Sequence, residues 1–126
     1  MSNANSFAVL DHHQYMSLVT FRKSGAPVPT PVWFAQAGDK VVLLTAPDAG
    51  KAKRIGNNPA VEVSPCDMRG KVLGDKAIGR ARIISGAEAD QANQLLTRKY
   101  GWQKRLIDFG ALLRRRPSIF IEITPA

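Results

Sequence analysis

Residues Leu43 to Pro65 constrain the chain most. An apolar run ending at Thr45 meets Pro47-Asp48, then the basic segment Gly50-Lys-Ala-Lys-Arg-Ile55, then Asn57-Asn58-Pro59 and a second apolar run at Val61 to Val63. Proline ends a helix and biases the residue before it toward extended backbone, so the spacing predicts a strand, a turn, a short basic helix and another strand. Asp48 is placed to cap that helix by accepting hydrogen bonds from the unpaired N–H groups of its first turn, and Gly50 leaves the backbone accessible. Lys51, Lys53 and Arg54 then crowd the positive end of the helix dipole, an arrangement that suits a phosphate. The same three side chains also fit an ordinary solvated helix face. No glycine-rich nucleotide fingerprint accompanies them, which argues against a Walker or Rossmann site.

A chain of 126 residues that is 44% hydrophobic has the length of one domain and enough apolar content for one core. Its 18 basic against 10 acidic residues leave a net charge of +8. Such a surface attracts anions, whether phosphorylated cofactors, carboxylated substrates, nucleic acid or acidic lipid. Barrels that bind single strands stack bases on exposed aromatics, and 7% aromatic content argues against a nucleic-acid partner. Cys66 is the only cysteine, so no internal disulfide can form and a reducing cytoplasm is the expected compartment. The N-terminus lacks the basic and apolar regions of a signal peptide, and no apolar run approaches the roughly 18 residues that span a membrane. His12-His13 would point to opposite faces of a strand, and no third histidine exists, so no metal is expected.

From the N-terminus, Phe7, Val9 and Leu10 form a small apolar patch suited to one short helix, and Tyr15 to Phe21 reads as a strand closed by the turn Lys23-Ser-Gly-Ala26. Val28 to Ala35 alternates, with Val28, Thr30, Val32 and Phe34 on one side and Pro29, Pro31, Trp33 and Ala35 on the other. Neither proline can donate to a sheet ladder, so this strand must lie at an edge or bulge, or face a cavity. Ala37-Gly-Asp39 turns the chain into a third strand, Lys40 to Thr45. After the basic helix, Val61 to Val63 continues the sheet, Met68 to Asp75 reads as a loop, and Ala77 to Ile84 is a fifth strand. Gly79 and Ala81 there are small enough for a planar ring or a neighbouring chain to approach closely. Ala87 to Tyr100 has helical spacing with Gly101 as C-cap, and Trp102, Leu106, Phe109 and Leu113 predict a second helix to Arg116 whose apolar stripe faces the core. Ser118 to Thr124 is the sixth strand. Six strands joined mostly by short turns, with helices after the third and fifth, describe a mainly β antiparallel barrel.

The order Tyr15-Met-Ser-Leu-Val-Thr-Phe-Arg-Lys-Ser-Gly25, Pro29-Thr-Pro-Val-Trp-Phe34, Leu44-Thr45, Gly50-Lys-Ala-Lys-Arg-Ile55, Asn58-Pro59, Val63-Ser-Pro-Cys-Asp-Met-Arg-Gly70 and Lys99-Tyr-Gly101 resembles the split-barrel flavin and deazaflavin oxidoreductases related to pyridoxamine 5'-phosphate oxidase. Within them it is most similar to the small branch that uses the deazaflavin coenzyme F-420. The resemblance implies a homodimer of six-stranded split barrels of the FMN-binding type, with the cofactor in a groove between subunits and a small-molecule substrate over its ring. It implies that Thr45, Lys51, Lys53 and Arg54 hold the phosphate and acidic tail. Pro31, Val32 and Trp33 would lie along the ring, Ser64, Pro65 and Cys66 near the site, and Arg80 or Arg82 would help receive the tail. FMN is the alternative cofactor, as an oxidase or reductase of the same fold, and a non-catalytic cofactor-binding protein is the other alternative. The deazaflavin tail carries a phosphodiester and several glutamates, and so asks for a longer basic track than one phosphate does. No residue stands out as the catalytic acid or base; Tyr100, His12 and Cys66 are candidate proton donors.

Overall fold

The computed structural model of the protein describes residues 7–47, 49–114 and 118–126. Seven antiparallel strands form one curled sheet: β1 (Tyr15–Phe21), β2 (Pro27–Val32), β3 (Ala35–Ala37), β4 (Lys40–Thr45), β5 (Ala60–Cys66), β6 (Ala77–Ile84) and β7 (Ile119–Pro125). Their order across the sheet is β2-β1-β5-β6-β7-β4-β3. The helices are α1 (Gly50–Asn57), α2 (Gly86–Tyr100) and α3 (Trp102–Arg114), and a single 3₁₀ turn spans Phe7–Leu10. The mainly β, antiparallel split-barrel expectation holds. The difference lies in the run Val28 to Ala35, which breaks at Trp33-Phe34 into β2 and β3, so that one expected strand becomes both edges of the sheet.

Burial follows from alternation along the strands. Val41 and Leu43 of β4 join Met16, Leu18, Val61, Val63, Ile121 and Ile123 in the barrel core, which the Phe7–Leu10 turn closes with Phe7 and Leu10. On the outer side, Val42 of β4 packs with Ile84 against Ala92, Leu96 and Tyr100 of α2, so these strands are covered on both faces. The proline-bearing β2 lies at the sheet edge and pairs only with β1, where its missing donors leave no ladder bond unmade. Gly79 of β6 does accept a close approach, and the approaching groups are neighbours in the same fold. A Cβ built there would lie 2.6 Å from Ile123 Cγ2, 3.0 Å from the Thr124 carbonyl oxygen and 3.1 Å from Phe7 Cζ.

Gly101 closes α2 at φ 58°, a conformation glycine adopts without strain, and its N–H donates to the Thr97 carbonyl. The expected inward stripe of the following helix is a correction. Trp102, Leu106 and Phe109 of α3 are exposed, and among the described side chains of that helix Lys104 is the one buried completely. Its ammonium donates to Asn93 Oδ1 of α2 at 2.6 Å and to Asp108 Oδ1 at 2.6 Å. Of these, the Asn93 bond crosses to α2 and holds the Lys104 side of α3 inward, with the exposed stripe on the opposite side. Leu113 and the Arg115 to Pro117 stop lie outside the residues whose side chains are described.

Candidate functional site

The start of α1 is built by the turn that follows β4. Its N-cap is Ala49, with no side chain to accept a hydrogen bond; Asp48, expected in that role, lies outside the described residues. Thr45 is buried at the end of β4, one turn of chain before the helix. Ala52 and Ile55 anchor α1 to the barrel, which leaves Lys51 and Arg54 half-buried at its rim and Lys53 exposed.

Arg54 folds back along its own helix. Its Nε donates to Oγ1 of Thr20, 2.6 Å away on β1, and Nη1 lies 2.8 Å from the point a Cβ on Gly50 would occupy. Glycine at position 50 therefore makes room for the guanidinium beside the first turn. Burial, and then the charge of Arg54, hold the Lys51 amine below the usual lysine range. Among the described residues, Lys51, Lys53 and Arg54 form no ion pair, whereas Lys40, Lys76, Arg82 and Lys104 each have a carboxylate. Two half-buried cations, Lys51 in the first turn and the Arg54 guanidinium folded back beside it, have no counter-charge among the described residues and form a site that an anion would relieve.

The remaining expected residues distribute over several parts of the barrel. Val32 and Pro65 both lie opposite Met16, on β2 and β5, and both are buried on the core side. Pro31 is exposed, in register with Ser17 of β1, which is in turn opposite Ser64 of β5. Ser17 and Ser64 are themselves buried, so of this row only Pro31 reaches the surface. Trp33 stacks on Tyr100 with ring centroids 4.2 Å apart and planes 5° apart, so one face of its indole belongs to α2. Arg80 is exposed on β6. Its neighbour Arg82 is committed elsewhere, to Glu122 at 3.0 Å and to Glu88.

Of the candidate proton donors, Tyr100 and Cys66 are tied into structure and His12 is exposed. The Tyr100 hydroxyl accepts from the Phe34 N–H at 2.9 Å and lies 2.7 Å from the Gln14 carbonyl; burial raises its pKa. Cys66 is buried, and burial followed by the nearby Asp67 pushes its thiol up, away from the reactive thiolate. Among the described residues no three His, Cys, Asp or Glu side chains gather as a metal site would require.

Two residues escaped the sequence reading. Thr20, fully buried, positions Arg54 across a separation of 34 residues, and no local signal marks that pairing. Lys99 donates to the carbonyls of Phe34 (2.8 Å) and His13 (2.9 Å), with its ammonium 3.7 Å from the Phe34 ring centroid; burial lowers its pKa to about 8. Its place in the Lys99-Tyr-Gly101 motif was the only available sign.

Comparison with known proteins places the fold. No curated protein matches the sequence. HutZ, the heme storage protein of Vibrio cholerae, superposes with a TM-score of 0.71 at 14% identity, over 91% of this chain and 83% of its own. A conserved hypothetical protein of Mycobacterium tuberculosis gives 0.68 at 18% identity, over 99% and 85%. An FAD-binding protein of Mesorhizobium loti gives 0.63 at 17% identity, over 93% and 82%. At such identities the likeness is one of fold. The family profile described as pyridoxamine 5'-phosphate oxidase matches residues 3–126, and with nearly the whole chain matched to that profile, and a split barrel observed, the protein belongs to the pyridoxamine 5'-phosphate oxidase family.

Proposed function

We propose that the protein is an oxidoreductase that binds coenzyme F-420 and moves a hydride between its deazaflavin ring and a small conjugated or electron-poor substrate, as a cytoplasmic homodimer with the cofactor groove between subunits. The observation that carries this reading is the half-buried pair of Lys51, in the first turn of α1, and Arg54, whose guanidinium folds back from the last turn, without an acidic partner among the described residues. The pair fits an anionic cofactor end, because a bound phosphate would offset both the lost hydration and the mutual repulsion.

When bound, the deazaflavin supplies the hydride chemistry. Lys51, Lys53 and Arg54 would hold its phosphate, with Thr45 beneath them and Thr20 fixing the direction of Arg54. Pro31 and the backbone of Val32 and Trp33 would border the ring, and Pro65 would support that wall from the core. Arg80 would receive part of the acidic tail.

FMN is the second reading, and Arg82 favours it. With Arg82 engaged by Glu122 and Glu88, the basic track beyond Lys51 and Arg54 is shorter than the sequence suggested, which suits one phosphate better than a polyglutamate tail. The Mesorhizobium loti relative is an FAD-binding protein, which supports a flavin-type ligand. Titration of the purified protein with oxidised F-420 and, separately, with FMN, followed by fluorescence at two salt concentrations, tests both readings. F-420 binding that weakens about tenfold or more in Lys51→Ala supports the proposal. Binding of FMN alone replaces F-420 with FMN, and binding of neither refutes both.

A further inference from the structure

Arg82 is engaged by Glu122 and Glu88, yet two further cations stand free at the other end of α1. Phe21, closing β1, with Arg22 and Lys23 just past it, and Asn57 and Asn58, at the end of α1, line an open cleft of about 400 Å³. Arg22 and Lys23 are exposed, and neither has a carboxylate partner among the described residues. The backbone beneath them is fixed, because the Arg22 N–H donates to the Ala26 carbonyl at 2.9 Å and the Gly25 N–H to the Arg22 carbonyl at 2.8 Å. Asn58 Oδ1 accepts from the Ala60 N–H at 3.1 Å, which leaves the amide nitrogen as a donor for a ligand. Glu62, on the neighbouring strand β5, is held by Lys76.

This cleft continues the site at Lys51 and Arg54. Arg54 donates to Thr20, and Thr20 stands two residues before Arg22 in a segment that packs beside α1. From Lys51 to Asn57 the helix rises about 9 Å, and from Thr20 to Arg22 the extended chain advances about 7 Å. Lys51, Arg54, Arg22 and Lys23 therefore form one basic track along a flank of α1.

We propose that the cleft receives the acidic tail of the cofactor, so that a ligand carrying several carboxylates beyond its phosphate is favoured over one that ends at the phosphate. The inference rests on reading Lys51 and Arg54 as the phosphate site. Two or three glutamyl units extend far enough to reach from a phosphate held there to Arg22 and Lys23. The dipole of α1 opposes an anion at this end by about half a charge, and two full cations outweigh it. The basic track that Arg82 does not supply is thus regained along α1, at the turn between β1 and β2. Each carboxylate pair would be solvent-exposed and individually weak, so two of them together amount to about tenfold in affinity at low salt.

Fluorescence titration of the full chain with oxidised F-420, and with the same deazaflavin phosphodiester lacking its glutamates, separates the tail contact from the phosphate contact. The wild-type protein should bind the glutamate-bearing compound about tenfold more tightly at low salt, and added salt should narrow that gap. Arg22→Gln with Lys23→Gln should reduce the gap to about twofold or less while leaving affinity for the tail-free compound nearly unchanged. The thermal melt of this double variant should match the wild type, because both positions lie on an exposed turn. Lys51→Ala, by contrast, should weaken both compounds together. Equal binding of the two compounds by the wild type, or a gap that the double variant preserves, overturns the tail subsite and leaves the phosphate site standing. Binding of neither compound overturns the phosphate reading and this inference with it.

Discussion

Arg54→Met separates what the arginine does for the fold from what it does for a ligand. Methionine keeps an unbranched stem of similar packing and removes the charge and the Nε donor. In the native protein that donor satisfies Thr20 Oγ1 at 2.6 Å, on a side chain with no exposed surface. Leaving the hydroxyl buried without a partner should cost about 2 kcal/mol. For a chain of this length that corresponds to a fall in Tm of about 8 °C. Adding Thr20→Val replaces the orphaned hydroxyl with a methyl group of the same shape and should recover most of the loss in a thermal melt. Affinity should behave differently. Losing one charge-assisted bond to an anion costs about 1.5–3 kcal/mol, a roughly 10- to 150-fold weaker Kd for the phosphate-bearing cofactor, and Thr20→Val should restore none of it. The paired assays are circular-dichroism melts and fluorescence titrations of the wild type, the single variants and the double variant. Unchanged Kd in Arg54→Met would refute the anion site, and a stability loss that Thr20→Val fails to recover would refute the hydrogen-bond account.

Three further outcomes follow from the same structure. Gly79→Ala should lower stability by about 1–3 kcal/mol in urea unfolding, since its methyl would meet the branched side chain of Ile123 at 2.6 Å and a backbone oxygen at 3.0 Å, whereas Gly56→Ala, with open space around it in α1, should be neutral or slightly stabilising. Lys99 binds its proton less tightly in the folded protein, at about 8, than at the ordinary lysine value of 10.5. Between those values the unfolded chain holds more protons, so stability measured by urea unfolding should rise with pH from about 8 to 10 and be flatter in Lys99→Met; above about 10 the raised Tyr100 phenol acts in the opposite sense. Asp108→Ala should destabilise by about 3 kcal/mol by stranding the buried Lys104 charge, while Lys104→Met should cost much less, a contrast that chemical denaturation would reveal.

Local chemistry determined much of this protein. Prolines 29 and 31 lack donors, so their strand had to be an edge, and it is. Gly101 ends α2 with positive φ, as a glycine after a helical run should. The basic helix between two apolar strands was legible because its stop at Asn57-Asn58-Pro59 needs no tertiary partner. By contrast, the break at Trp33-Phe34 depends on α2: Tyr100 stacks on Trp33 and binds the Phe34 backbone, contacts more than 60 residues away in sequence. The Arg54–Thr20 bond and the diversion of Arg82 to Glu122 and Glu88 are likewise long-range or cross-element, and they decide which cations remain free for a ligand. The sharpest divide runs through α3. Periodicity shows which side chains share a face of a helix, and Trp102, Leu106 and Phe109 do share one. Which way that face turns is settled by the partners available on the neighbouring element, and Asn93 of α2, by accepting a bond from Lys104, turned it to the outside.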